Sequence, residues 1–171
     1  MRRKQTKLYN LLFPIWMLIW IPSPFWLVLI PLNYLIDLLV LKLSLKGREV
    51  PEGFARDNTW KICIAGFVSD LAGAAALLAI MLIAGSFDGP IIETIAPALN
   101  MNPFRNVWSF LACMLGIFIS ALVIFFLDRN VLKKSGLDES IASHSALMLA
   151  VFTAPYLFLF PSAIIYSVIG A

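Results

Sequence analysis

The chain has 171 residues, 61% of them hydrophobic and only 13% charged, with a formal net charge of +3. A soluble domain carries about 25% charged residues, so composition excludes an ordinary water-soluble fold and makes lipid the solvent for most of the chain. The small basic excess fits anionic headgroups better than nucleic acid, and too little chain lies outside the apolar runs to build a soluble catalytic domain.

The N-terminus, Met1–Lys7, is basic and leads into an apolar run, which imitates a secretory signal. No small-residue cleavage site follows; Ile21-Pro22-Ser23-Pro24-Phe25 is a poor substitute. The expectation is an uncleaved segment. The run continues from Leu8 to about Leu45, too long for one straight span of roughly 20 residues. Pro22 and Pro24 break it, because proline removes a backbone donor and clashes with the preceding turn. Ser23 can cap a new helix with Pro24 at its first position. The predicted element is a helical hairpin, with a short first arm Leu8–Ile21 and a second arm Pro24–Leu45. Trp16, Trp20 and Trp26 suit an interfacial position for part of it. A single tilted span ranks second, because it would place the two flanking basic clusters on opposite sides.

Three further runs read as spans: about Ile62–Ile83, Pro103–Leu127 and Ile141–Val168. Asn102 and Pro103 form a cap and first-position pair for the second. Pro155 and Pro161 should kink the third. Between the first two, Pro90–Leu99 is too apolar for a free loop and predicts a short interfacial helix. Twelve of the 13 Lys and Arg residues fall into three clusters flanking these runs, at Arg2–Lys7, Lys42–Lys61 and Arg129–Lys134; Arg105 stands apart. Basic residues resist translocation. The expected orientation therefore has a cytoplasmic N-terminus, an external C-terminus and a bacterial-type plasma membrane as host. The fold class expected is an all-α integral membrane bundle, with one polytopic domain over residues 1–171.

Small residues recur at helical spacing: Ala65, Ser69 and Gly73, with Ala72, Ala74, Ala75, Ala76 and Ala79 nearby; then Ser109, Cys113, Gly116 and Ser120; then Ser143, Ala146, Ala150 and Thr153. Such stripes let helices approach closely in lipid. They serve packing within the chain, or one stripe is left for a partner.

Asp37 and Asp70 interrupt apolar runs. An ionisable group at membrane depth costs about 2.5–3.5 kcal/mol on insertion scales, so it faces the bundle. Asp37 precedes Lys46 by nine residues and Asp70 follows Lys61 by nine. Nine residues is about 13.5 Å of helix, so both acids should lie at similar depth and near each other. Asn33 lies one turn from Asp37, Ser69 adjoins Asp70, and Gly66 and Gly73 are read as open space beside Asp70. The four residues Asp37, Asp70, Asn33 and Ser69 are the candidate proton or cation site. The alternative is that both acids are protonated structural groups, or that Asp37 pairs with Lys42.

Catalytic and metal-binding patterns are missing from the sequence: one histidine, His144, and two separated cysteines, Cys63 and Cys113, read as small buried thiols, offer no cluster. No cofactor is expected. Asp128-Arg129-Asn130 is read as a helix end. Two functions follow. The first is a non-catalytic membrane subunit that assembles, as a homo-oligomer or in a larger complex in the lipid bilayer, through its small-residue faces. The alternative is a small ion- or proton-coupled transport protein built on Asp37 and Asp70.

Overall fold

A computed structural model describes residues 26–86, 89 and 92–164, without the side chains of Ile92 and Glu93. The first hairpin arm, Leu8–Ile21, lies outside the described residues, as do Asp88 and the C-terminal end of the third predicted span. The regular structure of the described part is helical: α1 Trp26–Ser44, α2 Phe54–Ala84, α3 Ile92–Met101, α4 Val107–Lys134 and α5 Glu139–Phe152. Four segments are long and apolar enough to cross a membrane: α1, α2, α4, and α5 together with the 3-10 turn Tyr156–Leu159. The protein is a multi-pass, all-α membrane bundle.

Its centre is the packing of α2 against α4, with α5 on α4, α1 across α2 and α5, and α3 over one end. Large apolar side chains point outward, among them Leu27, Leu35 and Leu39 on α1, Val68 and Leu82 on α2, and Phe118 and Phe126 on α4. Lipid is a suitable solvent for such a surface, and water is not.

Two helices are longer than their apolar runs. α2 has 31 residues, about 46 Å at 1.5 Å per residue, against a hydrocarbon core of about 30 Å. It starts at Phe54, not Ile62, because the backbone ladder continues through Arg56-Asp57-Asn58-Thr59 and needs no apolar side chains to do so. Gly53, at φ 81°, turns the chain into it. α4 likewise continues past Leu127 to Lys134. Its beginning is in two steps. The Asn102 side chain accepts from the Phe104 backbone N–H and starts the 3-10 turn Pro103–Arg105. Asn106 then caps α4 itself, accepting from Trp108 N–H at 2.8 Å.

The expected kinked third span is instead a broken one. α5 stops at Phe152, because Ala154 precedes Pro155 and is pushed out of helical geometry. Pro155 has no N–H to offer the Val151 carbonyl, and the Tyr156 hydroxyl donates to that carbonyl instead. A freed carbonyl at membrane depth needs such a replacement donor. The short helix expected at Pro90–Leu99 is α3, with Leu99 and Ala98 buried against the bundle.

Helix ends sort the charges. The end carrying Lys42, Lys46, Arg48, Arg56, Lys61, Arg129, Lys133 and Lys134 is one face of the bundle, since the Ser135 hydroxyl donates to Asn58 Oδ1 at 2.8 Å. Arg105 stands at the opposite end, lining a groove with Thr94, Pro97, Ala98 and Asn106.

Candidate functional site

The stripes of small residues meet inside the chain. Ala65, Ser69 and Gly73 on α2, Ser109, Cys113, Gly116 and Ser120 on α4, and Ala146 and Ala150 on α5 are all buried. Ser120 Oγ donates to the Ser69 carbonyl at 3.0 Å, and Ser69 Oγ donates to the Ala65 carbonyl at 2.7 Å. A Cβ built at Gly73 would lie 2.6 Å from the Gly116 carbonyl oxygen and 3.0 Å from the Phe158 ring. Gly73 therefore does not leave room beside Asp70; it is filled by the close approach of α4. Gly66 is the open position, with nothing within 4 Å of such a Cβ. The reason is angular. Gly73 lies about 40° from Ser69 and so joins it on the side facing α4, while Asp70 is turned about 100° from Ser69 and lies at the edge of that side, about 60° from Gly73.

That same rotation separates Ser69 from the acids. Its hydroxyl is used on its own helix, at the α2–α4 seam. Asn33 is partly buried one turn from Asp37. Asp37 is buried, 3% exposed, and has Thr153 of the α5 terminus within hydrogen-bonding reach. The Thr153 hydroxyl also donates to the Leu149 carbonyl at 2.8 Å. Asp70 is partly buried, and its Oδ1 is enclosed with no hydrogen-bond partner. Asp37 and Asp70 lie within electrostatic reach of each other, and both act on Cys63. Asp37 on α1 and Asp70 on α2, the two acids expected at similar depth, thus influence each other electrostatically across the two helices. No ion pair joins Asp37 to Lys42; the ion pairs among the described residues are those of Glu139 with Arg129 and Lys133.

A third acid, Asp128 on α4, belongs to the same region. It is 0% exposed, neither of its oxygens has a hydrogen-bond partner, and it lies within electrostatic reach of Asp37. From its place before Arg129 and Asn130 it reads as a helix end; the structure buries it instead. Its spacing gave a usable signal, since Gly116, Ser120, Ile124 and Asp128 continue one inward stripe at intervals of four. Among the described residues no three His, Cys, Asp or Glu side chains are close enough to share a metal ion. What the arrangement offers chemically is a set of carboxyls that can carry protons. No family model matches the chain, and neither the curated proteins nor the solved structures contain a significant match.

Proposed function

We propose that this is a small proton-coupled transport protein of a bacterial-type plasma membrane, with a proton held at Asp37 and Asp70. The observation that supports this reading is the pair itself: two acids from adjacent spans, near each other, with no basic partner among the described residues. Carboxylates are costly in a low-dielectric interior, and two of them without a counter-ion are affordable there only with protons.

The subunit reading needed a small-residue stripe left for a partner. Nine of the stripe residues are buried within this one chain and Ser143 and Thr153 are partly buried; Ala75 and Ala79, four apart on α2, are the exposed small residues left to that reading. In proteoliposomes with a trapped pH dye and a potassium-clamped potential, an external acid jump should acidify the lumen. Asp37→Asn and Asp70→Asn should each cut that flux at least tenfold while eluting as folded protein. Wild-type protein without flux would return the assembly-subunit reading to first place.

The proposed orientation puts the basic end in the cytoplasm. Glu52 and Ser86 are exposed at opposite ends of α2. In intact cells an impermeant maleimide should label Ser86→Cys and spare Glu52→Cys. The reverse pattern would invert the topology.

A further inference from the structure

We propose that Asp128 is a third proton-binding residue of this protein, the one that passes protons between the basic end of the bundle and the Asp37–Asp70 pair. The inference rests on the proton-coupled reading and names the route by which its site is loaded.

Asp128 is set inside apolar packing. Ile124 and Leu132, one turn to either side, belong to a cluster with Val40 and Leu41 of α1, Ile62 of α2 and Leu149 of α5. Neither carboxyl oxygen finds a donor there. The neighbouring cation is committed elsewhere: Arg129 Nε donates to Ser143 Oγ at 3.1 Å, and its guanidinium joins Lys133 in holding Glu139 at the surface. Asp128 therefore sits immediately inside a charged rim without pairing with it. Among the groups facing the cluster, α1 contributes Asp37, and Asp70 of α2 lies beyond it; on α5, Glu139 and His144 are exposed.

An unpaired carboxyl at such a site does nothing for packing that a leucine would not do better, since burying it unpaired costs free energy. Proton exchange gives it a role. The O–H bond of Asp128 breaks and an O–H bond forms on the Asp37 carboxylate. The Asp128 carboxylate left behind is reprotonated from the rim. The α1–α5 seam has hydroxyls at the basic end of the bundle, where α1 ends. Ser44 and Ser145 have their oxygens 2.9 Å apart, and Ser44 is two turns from Asp37 on the same face of α1.

The test uses the full chain in proteoliposomes. Asp128→Asn is expected to slow acid-driven flux at least tenfold, and Asp128→Glu, which restores a titratable carboxyl, to recover most of it. Wild-type flux in Asp128→Asn overturns the inference and leaves the Asp37–Asp70 reading standing. So does a Glu variant slower than the Asn variant, the order that a purely steric role predicts. Absence of flux in the wild type overturns both. A measurement on the wild type guards against misfolded variants. Dicyclohexylcarbodiimide modifies protonated carboxyls in apolar sites, so mass spectrometry should find an adduct on Asp128 that fades as pH rises. No pH-dependent adduct at Asp128 overturns the inference as well.

Discussion

Gly73→Ala is expected to be the most damaging single-methyl change in this bundle. The new Cβ would meet the Gly116 carbonyl oxygen at 2.6 Å and the Phe158 ring at 3.0 Å, and would collide with Ser120 Oγ. Ser120 could rotate, but only by giving up its bond to the Ser69 carbonyl. The Gly116 backbone has nowhere to go unless α2 and α4 separate. Overpacking of this kind costs about 1–3 kcal/mol, occasionally more, and Gly73→Ala should fall at or above the upper end. Two other glycines serve as controls. The three atoms nearest a Cβ at Gly116 all belong to the Leu77 side chain, at 2.9–3.3 Å; a buried side chain gives way more readily than backbone, so Gly116→Ala should cost less than Gly73→Ala. Gly66→Ala meets nothing within 4 Å and should be neutral or better by up to about 1 kcal/mol, from helix propensity alone. Thermal melts of the three variants in one detergent check the order. Equal melts would mean that α2 and α4 are not in contact through Gly73.

Asp128→Leu should do the opposite and stabilise the protein. Leucine is similar in size and would join Ile124, Leu132 and Leu149, already packed around the site. Replacing buried charged groups with apolar residues of similar volume is often stabilising by about 1–4 kcal/mol, and here no hydrogen bond is lost. Asp128→Ala should gain less, because it leaves a cavity. A higher melting temperature for the leucine variant, together with lost proton flux, would mark a residue kept for function at a cost in stability. A lower melting temperature would show that Asp128 has a stabilising partner in the membrane.

The sequence determined where lipid would be the solvent, and therefore which segments are helical. An apolar run of sufficient length is a local property, and backbone groups in lipid leave helix as the open choice for a single run. The predicted spans at Ile62–Ile83 and Pro103–Leu127 accordingly fall within α2 and the turn-plus-helix leading through α4. It also singled out two of the acids, because an ionisable residue inside an apolar run stands out against its neighbours. Helix ends were less legible. α2 begins at Phe54 and α4 ends at Lys134 because hydrogen-bond ladders propagate through polar residues once nucleated. Pro155 was visible, but whether it bends a helix or ends one depends on which donor replaces the missing N–H; here it is the Tyr156 hydroxyl. Rotation about the helix axis was decided only by tertiary packing. It turns Gly73 into the α4 seam, so that α4 fills the space beside it, commits the Ser69 hydroxyl to its own backbone, and points Asp128 inward while Arg129, one residue on, reaches Glu139. Each step along a helix is about 100°, so neighbours in sequence face different surroundings, and only the positions of the other helices decide which face is the interior.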